Sequence, residues 1–437
     1  MKRVFELLLV ARLLFPFFDS PLSHLYSDPQ RHWDNAEFFL HPTIMGSSDP
    51  YLYQVWLFAW RWLAGGRAST VLLGCGLLCA LMPVGWYRAL RELLPQRWAL
   101  VGAIIIGLIP ESIEAYAFFM NETLLMTLLG FCFWLTLRAW RKRTLSAFAV
   151  ACLLWVCAAL TRTFAIPMAL LCIGWLCCLR ADGVRARLHR LAITIVLATA
   201  LVVPAGLHAQ RTLNFFAPFG NLYLNAIYHD SGRHDIAIDY GRYGRFQFGS
   251  PSFYNPTYSP FSNWTTDRTG LASIAVDTGH GRADWQREHA RVISERQFPS
   301  WRQRWEEAQY LLFGMNWPNE GHDTFISSTT IYARWLWLPL IVFVVWASAR
   351  RRFIGAAWLL PACALSSLAA LLCQSQGVVE ARFRSPIDAV FVAAAICALR
   401  YPWRRIQHAR APMAGTAASG TAATELPQPL HGPQIPD

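Results

Sequence analysis

The sequence predicts an all-α, multi-pass membrane protein with about ten transmembrane helices. Three observations support this class: ten strongly apolar stretches, 54% hydrophobic against 15% charged residues, and 20 tryptophans. Tryptophan is enriched where membrane proteins meet the lipid–water interface. Most of the stretches approach the roughly 20 apolar residues that cross a bilayer. In chain order they are 4–18, 69–87, 98–116, 123–137, 145–160, 164–179, 191–207, 335–349, 354–373 and 387–399.

The arginines between these stretches predict the orientation of the chain. If the N-terminus is cytoplasmic, every short inside loop is basic, as in 88–97, 138–143 and 350–352. This is the pattern that the positive-inside rule requires. Ten crossings then place both termini in the cytoplasm. The net charge of +12 is explained by orientation and anionic lipid, so nucleic acid is not needed as a partner. The recurring Arg, Ala and Leu favour a bacterial inner membrane.

Two outer segments divide the chain into modules. The N-terminal module, 1–207, contains the first outer loop, 19–68, for which we expect two helices lying along the membrane surface. The second outer segment, 208–334, is far longer than an ordinary connector, so it is expected to be functional or a small domain. We expect it to be irregular over 214–263 and to form two amphipathic helices within 284–313. The C-terminal transmembrane helices occupy 335–405, and 406–437 is expected to be a disordered cytoplasmic tail.

Acidic residues at the outer ends of the spans form one part of a candidate site, because charges inside a bilayer are costly and mark function. Asp28 could accept a proton from an incoming hydroxyl, with partial desolvation raising its basicity. A simple helix cap explains Asp28 equally well. Asp34 lies nearby. Glu111, Glu114 and Glu122 surround the next outer turn, where they could orient an acceptor, hold a divalent cation or be solvated helix ends.

Three arginines on the outer side form the other part. Arg162, Arg382 and Arg384 oppose the charge bias that the other loops follow, which favours a functional reason for them, such as an anionic partner. Guanidinium groups bind phosphate through two parallel hydrogen bonds, which makes a lipid phosphate or diphosphate a suitable ligand. For Arg162, snorkelling to lipid headgroups is an alternative.

Four short segments carry a resemblance to a known group of enzymes. Residues 28–36 begin with an acid and end with alanine, as in a pattern found in these enzymes. Pro29 and His32 stand where that pattern has a second acid and a tyrosine. Residues 120–124 read Met-Asn-Glu-Thr-Leu, 160–162 read Leu-Thr-Arg, and 380–388 read Glu-Ala-Arg-Phe-Arg-Ser-Pro-Ile-Asp. In order and position these segments resemble the GT-C superfamily of polytopic glycosyltransferases, specifically bacterial proteins similar to protein O-mannosyltransferases and aminoarabinose transferases.

The resemblance implies transfer of a sugar, with inversion, from a polyprenyl-phosphate carrier to a glycan, lipid or protein acceptor on the outer face of the membrane. It implies that Asp28 is the general base. The implied acceptor-positioning residues are Asp34, Glu111, Glu114 and Glu122, and the implied ligands of the donor phosphate are Arg162, Arg382 and Arg384. No cofactor is required by this scheme, although the acids could hold a divalent metal.

Two other classes remain open from the sequence. A flippase or transporter of an amphipathic lipid-linked substrate would carry polar residues or broken helices near the midplane, whereas these spans are nearly free of midplane charge. A non-catalytic membrane subunit could instead present the long outer segment to partners. The sequence does not identify the sugar, the acceptor or the length of the carrier.

Overall fold

The computed structural model describes residues 1–25, 27–42, 46, 49–179, 183–213, 216–219, 237–240, 246–249, 311–312, 336–353, 355–374 and 381–410. This part of the chain is helical apart from one two-stranded ribbon. The amphipathic helices expected within 284–313, apart from 311–312, lie outside the described residues. Of the tail expected to be disordered from residue 406, residues 406–410 are instead helical, as the end of the helix Ser385–Arg410, and 411–437 lie outside the described residues.

Thirteen α-helices and two strands are numbered here in chain order within the described residues. They are α1 Lys2–Phe18, α2 Ser27–Glu37, α3 Tyr51–Ala64, α4 Ala68–Leu93, α5 Gln96–Gly107, α6 Pro110–Glu114, α7 Asn121–Lys142, α8 Leu145–Thr161, α9 Ile166–Cys177, α10 Val184–Leu213, β1 Ala237–Tyr240, β2 Phe246–Gly249, α11 Trp337–Ala349, α12 Leu359–Gln374 and α13 Ser385–Arg410. Short 3-10 turns occupy Pro21–Ser23, Ala115–Ala117, Thr163–Ala165, Gly355–Trp358 and Ala381–Phe383.

Each of the ten predicted apolar stretches contains a helix, but the number of crossings stays a prediction. Among the described residues, four helices are long and apolar enough to cross a membrane: Ala68–Leu93, Asn121–Lys142, Val184–Arg211 and Gly355–Leu372. The shorter apolar helices are Leu145–Thr161, Thr163–Cys177 and Trp337–Ala349. These lengths and compositions support an integral membrane protein.

The stretch 98–116, expected to be one span, is broken. Its two parts, Gln96–Gly107 and Pro110–Ala117, are bent by 66° and would make a fifth crossing only if taken together. Pro110 opens α6, where its missing N–H costs nothing, but it cannot continue α5. The break therefore turns the acidic residues of α6 away from the axis of α5.

Both helices expected in the first outer loop are present, as α2 and α3. Arg61 of α3 ties them together: its guanidinium lies 4.0 Å from the Trp33 ring and donates a 2.6 Å hydrogen bond to Glu37. Because α2 begins at Ser27, Asp28 lies in its first turn. The loop thus presents Asp28 from a braced helix.

The ribbon of β1 and β2 lies in the stretch expected to be irregular. The strands pair antiparallel, with Ala237 opposite Gly249 and Tyr240 opposite Phe246. Phe246 and Phe248 alternate with Gln247 and Gly249 along β2, which is the strand period, whereas Ala237 and Ile238 are adjacent in β1. Four residues are too few for this alternation to be recognised from sequence.

The core is centred on α4 and α7, whose backbones approach closely at Gly85 and Gly130. A Cβ atom added at Gly130 would lie 2.6 Å from the backbone nitrogen of Trp86. Close approach through small residues is how helices pack in membranes, where lipid is as apolar as the side chains. Thr127 of α7 also donates a 3.0 Å hydrogen bond to the carbonyl of Leu78 in α4. This pairing fixes the end of α7 that carries Glu122.

Candidate active site

Asp28 joins the first outer loop to the 3-10 turn Ala381–Phe383. Its Oδ2 atom accepts a 2.7 Å hydrogen bond from Nη2 of Arg382, in the 3-10 turn before α13. Its Oδ1 atom accepts a 2.5 Å hydrogen bond from Nη1 of Arg31, one helical turn further along α2. The predicted base and one predicted phosphate ligand are therefore brought together.

The charges around Asp28 decide its ionisation. Burial raises the pKa of this carboxyl, but Arg31, Arg382 and His32 outweigh burial and hold its pKa well below the usual value. The expectation that desolvation would raise its basicity is therefore wrong for this arrangement. Arg31 donates a hydrogen bond to one carboxylate oxygen of Asp28, and Arg382 donates one to the other. Hydrogen bonding to the charged form of a carboxyl group favours its ionisation.

A second carboxylate, Asp49, braces this pair and was missed in the sequence. Asp49 accepts hydrogen bonds from Arg31 and from the Asn35 amide, the latter at 2.8 Å. Nδ1 of His32 lies 3.3 Å from Asp49 and 3.0 Å from the Gln54 amide nitrogen. Burial raises the pKa of Asp49, but Arg31 and His32 outweigh burial and lower this pKa to about 2. The sequence carries a signal only for Arg31, which stands three residues after Asp28 on a helix, and none for Asp49.

Glu122 supplies the anionic partner that the position of Arg162 called for. Glu122 lies in the first turn of α7 and is 2% exposed. Arg162 follows the last residue of α8 and donates from Nη2 to Oε1 of Glu122. Its guanidinium also lies 4.6 Å from the centre of the Phe383 ring, next to Arg382 in sequence. Arg162 is thus part of the same cluster.

Arg384 is enclosed between acidic groups. It donates to Glu111 at 2.8 Å, lies 2.9 Å from an oxygen of Asp388, and donates to the carbonyl of Leu312. Oε2 of Glu111 also accepts a 3.3 Å hydrogen bond from the Trp337 indole. Both Glu111 and Arg384 are fully buried, so they form a cross-link between α6 and α13.

A pocket opens beside these ion pairs. It is lined by Glu114, Ala115, Phe118, Met120, Glu122, Arg382 and Ser385. Within the described part of the chain, Oε2 of Glu122 is buried with no hydrogen-bond partner. The pocket therefore brings carboxylates and a guanidinium together with apolar side chains, and a guanidinium can bind an anionic group of a ligand.

Two predicted features lie apart from this cluster. Asp34 is exposed on α2, and the described residues include no hydrogen bond or ion pair between it and the other predicted site residues. Across the ranges that the structure describes, no group of three or more His, Cys, Asp or Glu side chains is arranged to hold a metal ion.

A comparison with protein families identifies the class to which these features point. Residues 51–207 match the family of dolichyl-phosphate-mannose-protein mannosyltransferases. The match covers a little over a third of the chain. It includes the acids of α6 and α7 and Arg162, whereas Asp28, Arg382 and Arg384 lie outside it. No curated protein matches the chain. The similarity indicates a membrane glycosyltransferase, in agreement with the apolar helices.

Proposed function

We propose that this protein transfers a sugar, with inversion at the anomeric carbon, from a polyprenyl-phosphate carrier to an acceptor on the outer face of the membrane. The observation that carries the proposal is the ion pair between Asp28 and Arg382 at the edge of a pocket lined by further acids. The similarity to enzymes named for dolichyl-phosphate-mannose supports a lipid-linked donor. The acceptor is a glycan, lipid or protein bearing a free hydroxyl.

In the proposed step, Asp28 takes the proton of the acceptor hydroxyl while that oxygen attacks the anomeric carbon. The bond from the anomeric carbon to the phosphate oxygen breaks on the opposite face, and polyprenyl phosphate leaves with the electron pair. Negative charge therefore grows on the phosphate, where Arg382 can neutralise it. Arg162 lies close enough to Phe383 to support the same phosphate if its bond to Glu122 opens.

Donor binding also explains how an ion-paired Asp28 becomes a base. The donor phosphate competes with Asp28 for Arg382, since both are anions that bind the same guanidinium. Once Arg382 turns to the phosphate, Asp28 loses one of its two arginine partners. Its pKa then rises toward the ordinary range, which increases its affinity for a proton when the acceptor arrives.

The other predicted residues receive roles that fit their burial. Glu114 and Glu122 line the pocket and hold acceptor hydroxyls, and the exposed Asp34 contacts an acceptor approaching from outside. Glu111 and Arg384 are enclosed, so in our proposal they keep the turn before α13, and with it Arg382, in place. Arg384 acts on the donor phosphate through this support.

The test uses membranes containing the wild type, Asp28→Asn, or Glu37→Gln as a matched control. Glu37 is an exposed acid on the same helix whose partner is Arg61. The membranes are incubated with dolichyl-phosphate mannose or with extracted polyprenyl-phosphate sugars, and consumption of the donor and gain of sugar mass on acceptors are followed by mass spectrometry. We expect turnover in the wild type and in Glu37→Gln, and its loss in Asp28→Asn. Equal turnover in all three would remove Asp28 from the mechanism.

The broken helix of α5 and α6 favours one alternative, a flippase for a lipid-linked sugar, because transporters use interrupted helices at their substrate sites. Vesicles holding a fluorescent polyprenyl-phosphate sugar separate the two functions. Movement of the intact lipid between leaflets, with no change in its mass, would support the flippase. Release of polyprenyl phosphate would support the transferase.

A further inference from the structure

Arg12 is a charged residue in the middle of an apolar helix. It lies in α1, is 2% exposed, and its described hydrogen bonds go to neutral oxygens, with no acidic partner in the described residues. Ionisable groups inside a membrane are expensive and usually serve a function. The proposed reaction does not use Arg12, so its purpose lies in what it binds.

One of the oxygens that Arg12 binds is a backbone carbonyl that a proline leaves without its helical partner. Nε donates a 2.7 Å hydrogen bond to the carbonyl of Cys79 in α4. Pro83, four residues later in the same helix, has no N–H to give that carbonyl. An unpaired backbone carbonyl is strongly unfavourable in a membrane, where no water can bind it. Arg12 removes that cost.

The second set of acceptors lies at the break between α5 and α6. Nη1 of Arg12 donates a 2.8 Å hydrogen bond to the carbonyl of Gly107, the last residue of α5. Nη2 donates a 3.2 Å hydrogen bond to the carbonyl of Ser112 in α6. The Ser112 hydroxyl in turn donates to the carbonyl of Ile109 at 2.9 Å. One guanidinium therefore binds the helix on both sides of the 66° bend.

The packing around Arg12 holds it in this position. Its guanidinium lies 5.4 Å from the centre of the Tyr116 ring, which follows α6. Gly107 admits α1 closely, because a Cβ atom there would lie 2.6 Å from a methyl carbon of Leu8. A planar group with several donors in fixed directions is suited to reach three carbonyls on three helices at once.

We propose that Arg12 is a positioning residue that fixes the bend between α5 and α6, and thereby sets Glu111 against Arg384 and Glu114 against the pocket. Glu111 directly precedes Ser112, so a shift of the bend displaces the carboxylate that holds Arg384. Arg384 is two residues from Arg382, the proposed phosphate ligand. The effect on turnover rests on the proposed function, whereas the effect on the bend does not.

Hydrogen exchange followed by mass spectrometry tests the bend directly, on full-length protein in detergent. Arg12→Met should speed exchange of the amides of residues 107–117 at least about tenfold, because the carbonyl anchors are lost, while peptides from 145–161 keep their wild-type rates. Arg88→Met is the matched control, an arginine at the other end of α4 that lies over the Trp134 ring. Wild-type exchange at 107–117 in Arg12→Met would overturn the inference.

Arg12→Lys covers the case in which Arg12→Met does not fold. It keeps the charge but not the planar fork, so exchange at 107–117 should still rise at least about threefold. If Arg12→Lys exchanges at the wild-type rate, the planar guanidinium does not hold the bend, and the proposed role of its three carbonyl contacts is overturned.

Kinetics test the link to the site. Arg12→Met should lower kcat about 10- to 100-fold and change the donor KM less than about threefold, as misplacement of a supporting group does. In a Glu111→Gln background, Arg12→Met should lower kcat less than about twofold, because the carboxylate that holds Arg384 is already absent. If the losses in kcat of the two single variants multiply in the double variant, Arg12 does not act through Glu111. If the wild type transfers no sugar, the proposed function fails while the exchange result still decides the bend.

Discussion

Asp28 shows how strongly one carboxylate depends on partners from distant parts of the chain. Arg31 comes from the same helix and Arg382 from the turn before the last helix. Because the folded pKa of Asp28 lies below its ordinary value of 3.8, its ion pairs contribute stability above that pH. This contribution is lost as the pH falls through the lowered pKa. Above pH 5 the carboxylate is ionised in the free protein.

Arg31→Gln should move the acid limb of the pH profile of kcat/KM to higher pH. Burial raises the pKa of Asp28, and removing one of the two guanidinium groups weakens the effect that opposes burial. The loss of activity should therefore be larger at pH 5 than at pH 7. Arg141→Gln is the control, since Arg141 pairs with Glu92 away from the first outer loop. An unchanged acid limb in Arg31→Gln would contradict the electrostatic account of Asp28.

Arg162→Met should destabilise the protein by about 3–5 kcal/mol, because it leaves the buried charge of Glu122 without its partner. Adding Glu122→Gln to this variant should restore part of the loss. Arg141→Met is the comparison: its pair with Glu92 is largely exposed on the arginine side, so about 0–1 kcal/mol is expected. Unfolding in mixed detergents measures all three, and equal losses in Arg162→Met and Arg141→Met would contradict the prediction.

At the scale of the elements, the crossing of α4 and α7 sets where Glu122 stands. Gly85 and Gly130 bring the two backbones together, and a side chain on Gly130 would collide with backbone atoms of Gly85 and Trp86. Backbone atoms cannot move aside as a flexible side chain can. The distance between these helices is therefore fixed by the absence of two side chains.

Gly130→Ala should separate α4 from α7 and lower both stability and turnover. We expect a loss of about 1–3 kcal/mol from overpacking. Gly174→Ala in α9 is a matched control, because a Cβ atom there meets nothing within 4 Å and alanine is the better helix former. Thermal unfolding in detergent distinguishes the two. A Gly130→Ala variant as stable as Gly174→Ala would show that the helices are not in tight contact.

The elements were more predictable from sequence than the contacts between them. Apolar runs mark where helices lie, and Pro110 is a visible signal for the break of α5, although the hydropathy of 98–116 concealed it. Arg31 could be placed beside Asp28 by helical spacing. The pairing of Asp28 with Arg382 and of Glu122 with Arg162 could not, because it depends on how distant helices pack. Asp49 carries no local pattern that distinguishes it from a loop acid.

At the scale of the whole molecule, the charge pattern predicts which loops share a side of the membrane. The loop at 138–143 is basic, whereas 161–163 holds a single arginine. Fusions of a fluorescent protein and of alkaline phosphatase after residues 143 and 162 test this in a bacterial host. Fluorescence is expected after 143 and phosphatase activity after 162, since each reporter works on one side only. The same reporter active at both sites would contradict the crossing of α8.

The ion pair of Asp28 and Arg382 also sets the order of events during biosynthesis. The two residues are 354 positions apart, and a ribosome adds about 5–20 residues per second. The first outer loop therefore waits on the order of tens of seconds before its partner has been synthesised. Until residues 382–385 have been synthesised, Asp28 lacks Arg382 as a partner, and the pocket lacks Arg382 and Ser385. If Arg382 holds the donor phosphate as proposed, a fragment that ends before residue 382 has no activity, and insertion of α13 is the step that completes the site.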